Sequence, residues 1–344
     1  MSDQLSAQVS NLLFIVAIAV YVLAMVGFAG DLAGSAQRAS DARLARRDAA
    51  RVAAGARSSG ASGSVAVMDR DDDRNDAAGF PVDASASDGR GMTAGWFAMA
   101  MTGAAALAHV IAVVLRGVAT HRVPWSNMYE FAMTGSAMVI VIFLLLVWQR
   151  RDMRVLGTFV VAPMLILMMV AQRMWYIPAA QLPPSLQNSH WLVIHVLVAI
   201  ASSALFTIGA VVSVLQLVQA RRERRGTATG RLAAVMDRLP ASTELEAFAF
   251  RIHAIGFVLW TFTLIFGSIW ASTAWGRYWG WDPKEVWTFV IWVVYAAYLH
   301  ARATVGFRGS RAAWFSLVGF ACVIFNFTIV NTVINGLHSY SGLT

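Results

Sequence analysis

Charge is scarce in this sequence. Only 13% of its 344 residues are Asp, Glu, Lys or Arg, about half the share found in soluble domains, so a chain made chiefly of water-soluble domains is excluded. Cysteine occurs once, as Cys322, which excludes an internal disulfide and any thiol–disulfide chemistry that needs a pair. Lysine also occurs once, as Lys284, so the net charge of +8 is carried by arginine. In a membrane protein such an excess reflects arginines kept on the cytoplasmic side. It gives no reason to expect a nucleic-acid partner. The stretch 31–93 lacks aromatic residues apart from Phe80 and is rich in Ala, Gly, Ser, Asp and Arg. It has too little apolar surface to offset the entropy of ordering and is expected to be disordered, with Asp71-Asp72-Asp73 a solvated run.

What remains is apolar: 58% of the residues are hydrophobic. Runs long enough to cross a bilayer fall at about 11–30, 94–116, 128–148, 155–172, 191–218, 251–271, 286–303 and 313–334. The expected fold is an all-α integral membrane protein with about eight transmembrane helices. The first run has no basic leader and no small-residue cleavage site, so it is expected to remain as a helix. Arginines cluster at 150–154, 221–225 and 302–311. Those connections are therefore expected in the cytoplasm, and the basic half of 31–93 is expected against the inner membrane surface. Both termini and the connections near 117–127, 173–190 and 272–285 then face outward. The organisation expected is a first helix over 1–30, the insertion 31–93, and a seven-helix membrane unit over 94–344. Residues 230–240 carry helical apolar spacing and suggest a short interfacial helix.

Tryptophan is concentrated. Six of the 13 tryptophans lie between Trp270 and Trp292, around Trp275-Gly276-Arg277-Tyr278-Trp279-Gly280-Trp281-Asp282-Pro283-Lys284-Glu285-Val286-Trp287. This is an outward loop between the sixth and seventh helices. An ordinary aromatic belt spreads over all helix ends; this cluster does not. A flat aromatic platform at a membrane surface suits a flat, largely apolar ligand, and haem is the leading candidate. Asp282, Pro283 and Glu285 are also what a helix start requires: an N-cap, a proline at the first position and a carboxylate at the third. Lys284 and Arg277 suit either ligand carboxylates or solvent.

Histidine is the common haem-iron ligand, and a histidine within a membrane segment usually has a function. His195, in the fifth helix, and His338, after the eighth, are both expected near the outer face. Together they can ligate one iron, with Trp275, Trp279, Trp281 and Trp287 supporting the ring. The plain alternatives are a packed interfacial imidazole for His195 and an ordinary tail residue for His338. His190, about 7 Å along the helix from His195, competes with it. His300 lies 15 residues past Glu285, hence about 22 Å deeper at 1.5 Å per residue, in the inner leaflet. His109 is about 12 Å off that depth by the same rise, so a second subunit is the better partner for His300. Otherwise His300 extends to the surface beside Arg302. His109 and His253 read as structural. In the outward segment His121-Arg122-Val123-Pro124-Trp125-Ser126-Asn127-Met128-Tyr129-Glu130, Ser126 or Asn127 caps the third helix and Glu130 suits its dipole.

These segments, with Trp191-Leu192-Val193-Ile194-His195-Val196, Tyr298-Leu299-His300 and Gly336-Leu337-His338-Ser339-Tyr340, make the chain resemble the CcsA/ResC family of System II cytochrome c biogenesis, called CcsB in some bacterial lineages. The likeness covers about 94–340. Asp-Pro-Lys-Glu and the Gly-Leu-His-Ser-Tyr tail separate it from the System I haem handlers CcmC and CcmF, which share the Trp signature. The resemblance implies haem b as cofactor, with His195 and His338 as external ligands and His300 as a transmembrane ligand. Trp275, Trp279, Trp281, Asp282 and Trp287 belong to the haem-holding loop. It implies haem delivery across the plasma membrane and covalent attachment to Cys-x-x-Cys-His apocytochrome c. The expected partners are a ResB-type membrane protein and a thiol-reducing factor. A haem transporter without attachment activity is the alternative, and a scaffold that binds no haem is a further one. The 31–93 insertion and His253 depart from the family pattern.

Overall fold

The computed structural model describes residues 2–59, 93–179, 190–225, 236–304 and 306–338, and these form helices with no strand. In chain order they are α1 (Asp3–Ser59), α2 (Ala94–Thr120), α3 (Met128–Gln149), a 3-10 turn (Arg151–Leu156), α4 (Gly157–Met174), α5 (His190–Arg225), α6 (Ser242–Trp275), α7 (Pro283–Thr304), α8 (Ser310–Phe327) and the single turn α9 (Ile329–Thr332). Eight of the segments are long and apolar enough to cross a membrane. The protein is a multi-pass membrane protein, as its composition requires.

The helices exceed the apolar runs at several ends. A membrane span needs about 20 residues, but once the bilayer ends, a helix former continues the helix. α5 runs through its arginines to Arg225, and α6 begins at Ser242, more than two turns before the apolar run. α1 does not stop at residue 30. It continues to Ser59 through a stretch rich in Ala and Arg, both strong helix formers. The first half of the polar insertion is therefore helical, and residues 60–92 lie outside the described residues. Of the expected interfacial helix at 230–240, residues 226–235 also lie outside them. Residues 236–240 form a turn that buries Met236 and Leu239.

Two long helix pairs, α1 with α2 and α5 with α6, carry much of the packing, with α3 and α4 beside them and α7 and α8 against α5 and α6. The larger core gathers Phe14, Tyr21, Tyr129, Phe143 and Met168 from α1, α3 and α4. A smaller aromatic core joins Phe206, Trp260, Tyr295 and Tyr298. His253 is fully buried in it, its ring between Phe206, Tyr295 and Tyr298. His109 is fully buried in the larger core, with Nε2 2.9 Å from the Met133 carbonyl oxygen.

The connections sort to two ends. At one end His121 Nε2 lies 3.1 Å from Asp3 Oδ2, and Arg116 donates to the Ile177 carbonyl at 2.7 Å. At the other end Arg238 pairs with Asp31 at 2.5 Å, Arg222 pairs with Asp237, and Arg302 pairs with Glu246. The arginine-rich connections thus share one end, and the Trp loop lies at the opposite end.

Near the Trp-loop end, Asn127 caps α3: its Oδ1 accepts the Glu130 N–H at 2.9 Å. Glu130 does more than favour the helix dipole. It is fully buried and accepts from Arg116 Nε at 3.0 Å, Arg122 Nη1 at 2.8 Å and Ser126 Oγ at 3.0 Å. One carboxylate thereby fixes the end of α2, the connecting segment and the start of α3.

Candidate functional site

Helices α3 to α8 and the Trp loop enclose a cavity of about 540 Å³, within the range of small-molecule and cofactor sites. Its walls are mostly apolar. Polar and aromatic groups gather toward the Trp-loop end: Trp125, His195, Trp270, Tyr278, Lys284 and His338 all line it.

His195 projects from α5 toward α6. A carbonyl oxygen can only accept, so the 2.9 Å contact means that His195 Nδ1–H donates to Thr263 O. The ring lies nearly parallel to Trp270, at 10° and 6.1 Å between centroids. Gly267 makes this position available, because a Cβ there would stand 2.8 Å from His195 Cε1 and 2.9 Å from Nδ1. Gly267→Ala is therefore expected to displace the imidazole and break its bond to Thr263 while leaving α6 helical. A crystal or cryo-EM structure of the variant checks this, and ligand affinity should fall at least tenfold.

His338 reaches the same cavity from the segment after α9. Its Nδ1–H donates to Asp282 Oδ2 at 2.8 Å, and its ring stands edge-on to Trp275 at 4.9 Å and to Trp270 at 5.8 Å. Both imidazoles thus have Nδ1 engaged, which fixes the tautomer and leaves Nε2 as the available lone pair.

Asp282 joins the two ends of this arrangement. As the helix signal requires, it caps α7, accepting the Lys284 N–H at 3.1 Å, while Glu285 reaches back to Asp282 N at 3.2 Å. This reciprocal pair is a capping box. The same carboxylate accepts Leu337 N–H at 2.6 Å and holds His338. Gly336 gives it room, because a Cβ there would lie 2.5 Å from Asp282 Oδ1. Burial alone raises the Asp282 carboxyl, but the bonds from His338, Leu337 and Lys284 outweigh it and hold the group below its ordinary value.

The tryptophans divide. Trp279 lines the cavity, and Trp275 backs His338 and lies under Arg277, whose guanidinium stands 5.6 Å from its centroid. Trp287 packs on Phe325 at 4.2 Å. Trp281 has a positive φ of 59° and is 76% exposed, off the cavity wall. Trp125, Trp175, Trp260 and Trp270 also line the cavity. Sequence reasoning counted Trp270 in the cluster without giving it a role. Trp175 and Trp260 stand alone in sequence and offer no signal; Trp125 stands in a segment read for its caps and for the family resemblance, with no role of its own.

The remaining candidates sort as follows. Lys284 lines the cavity, but its Nζ donates to Asn326 O and Asn331 Oδ1, each at 2.8 Å. Arg277 pairs with Glu285 at 3.2 Å. Neither is reserved for a ligand. His190 is exposed at the start of α5. His300 is exposed on α7, near the opposite end, and among the described residues no side chain pairs with its imidazole. The structure separates it from the two cavity histidines. Three buried polar atoms of cavity residues have no hydrogen-bond partner among the described residues: Trp125 Nε1, Trp270 Nε1 and Asn326 Oδ1. Buried polar groups are rarely left so. Here they lie within the wall, closed off from the open chamber. Two lone-pair imidazoles and mostly apolar walls together fit a planar metalloporphyrin.

Known proteins resemble this chain. A family model described as "Cytochrome C assembly protein" matches residues 125–338. The cytochrome c biogenesis protein CcsA of Heterosigma akashiwo is 33% identical over 251 residues, which is 64% of this chain and 77% of that protein. CcsA of Chlamydomonas reinhardtii is 35% identical over 247 residues, 70% of this chain and 67% of that protein. CcsA of Mesostigma viride is 32% identical over 251 residues, 67% of this chain and 81% of that protein. Among solved structures, the cytochrome c haem lyase CcmF superposes with a TM-score of 0.58 at 16% identity, over all of this chain and half of that one. At that identity the likeness speaks to the fold alone.

Proposed function

The chain belongs to the CcsA family of cytochrome c biogenesis proteins, and from that premise we propose that it delivers haem b across the plasma membrane and presents it for attachment to apocytochrome c. One observation carries the reading: two imidazoles from segments far apart in sequence line one cavity, each with Nδ1 held and Nε2 left over. The cargo's iron supplies the metal to be ligated. His195 and His338 hold it, and Trp270, Trp275 and Trp279 flank the chamber. On this reading the Trp-loop end faces outward and the arginine-rich end faces the cytoplasm.

The residues act mainly by position. The carboxylate beside the histidines, Asp282, is engaged with His338, Leu337 and Lys284 and is given no proton-transfer role. In attachment, each thiol of a Cys-x-x-Cys-His segment adds across a vinyl group. A carbon–sulfur bond forms, the thiol proton goes to the other vinyl carbon, and nothing leaves. Orientation and exclusion of water are what this chamber contributes. A ResB-type subunit is the proposed partner. The exposed His300 fits a cargo site completed outside this chain, toward the inner leaflet.

The complex purified from haem-replete cells is expected to show a bis-histidine Soret spectrum and to form thioethers with a Cys-x-x-Cys-His peptide under reducing conditions. A spectrum without thioethers would leave a transporter, with attachment elsewhere. A colourless complex would end the haem reading.

A further inference from the structure

The two cavity imidazoles share a tautomer but differ in what stands behind them. His195 Nδ1–H is held by a neutral acceptor, the Thr263 carbonyl, at 2.9 Å. His338 Nδ1–H is held by a carboxylate, Asp282, at 2.8 Å. That carboxylate is 4% exposed and is fixed by two backbone N–H groups, from Leu337 and Lys284. A carboxylate behind a metal-bound histidine raises the basicity of the ligating nitrogen, and burial keeps its charge poorly screened. A peptide carbonyl does this only weakly.

We propose that Asp282 is a positioning residue that makes the two iron ligands unequal: His338 is the firm ligand, and His195 is the one given up on exchange. The proposal rests on the haem reading above. When an external ligand takes a coordination site, the bond that breaks is the one from iron to His195 Nε2, and the bond to His338 persists. No electron moves in this step. The imidazole released remains hydrogen-bonded to Thr263, so it stays beside the chamber. The arrangement suits a cargo that must be held and then handed on, because one ligand retains it while the other site opens.

The test uses the purified complex loaded with haem. Asp282→Asn keeps one accepting oxygen for His338 and Lys284 and a good N-cap, and removes the charge together with the second acceptor, which Leu337 N–H uses. The variant should retain a bis-histidine spectrum. Loss of the carboxylate disfavours the ferric state, so the ratio of ferrous to ferric iron at fixed potential should rise about tenfold, a midpoint shift of about +59 mV for one electron. In His338→Ala supplemented with 1-methylimidazole, which has no N–H for Asp282, adding Asp282→Asn should shift the potential much less; in His195→Ala supplemented with 1-methylimidazole, it should shift the potential as before. A second measurement needs no Asp282 variant. The carbon monoxide adduct of the unaltered complex should match that of His195→Ala in its resonance Raman spectrum and differ from that of His338→Ala. Haem retained with its potential unchanged in Asp282→Asn overturns the proposal, and so does an adduct matching His338→Ala. An unaltered complex without haem would instead remove the reading beneath it.

Discussion

Replacing both His195 and His338 by alanine is expected to abolish the Soret absorption of the complex and to stop cytochrome c maturation, while the protein still inserts and assembles. Neither imidazole supports the bundle. His195 bonds one carbonyl, which lies in α6 and remains in its helix, and His338 sits in a segment beyond the last helix. Truncating them removes both lone pairs that face the chamber, and no other described histidine lines it. Single replacements should leave a weaker, ligand-exchangeable site, with haem content reduced at least tenfold. The measurements are haem per mole of purified complex and cytochrome c assayed by haem stain. Normal maturation by the double variant would remove His195 and His338 from the ligand assignment.

Loss of Glu130 should be the largest single effect on stability. Glu130 accepts from Arg116 and Arg122, and the Arg116 and Glu130 side chains are 2% and 0% exposed. Glu130→Ala leaves a buried guanidinium without its counter-charge, a change that costs about 3–5 kcal/mol. Glu130→Gln keeps an acceptor but not the charge and should lie between. A drop in the thermal midpoint of detergent-solubilised protein, with Ala worse than Gln worse than the parent, is the expected order. Because Trp125 and Asn127 in the same segment line the cavity, ligand affinity should fall in that order too.

The spans were legible because a bilayer demands about 20 apolar residues in a row, and sequence shows such runs directly. Their ends were not. Alanine and arginine continue a helix beyond lipid, as α1 does through Ser59, so a composition that reads as irregular forms a rod. The site was half legible. Asp-Pro-Lys-Glu announces the start of α7, and Asp282 does cap it. The bond from Asp282 to His338 was invisible, because it joins positions 56 apart and depends on how α8 returns. The tryptophan cluster pointed to the correct end of the bundle but not to the full wall. Trp287 is occupied with Phe325, and Trp125 and Trp175 arrive from other connections. His253 reads as structural in sequence, and its ring is packed among Phe206, Tyr295 and Tyr298.

The tie between Asp282 and the tail has a temporal consequence. Leu337 and His338 return to a carboxylate that left the ribosome 55 and 56 residues earlier. The intervening chain must cross the bilayer down along α7 and back along α8 before they can meet it. A nascent polypeptide therefore has one imidazole in place and lacks the other until α8 and the segment after it have been made. On the proposed reading, cargo captured before that point would have a single anchor and would be lost.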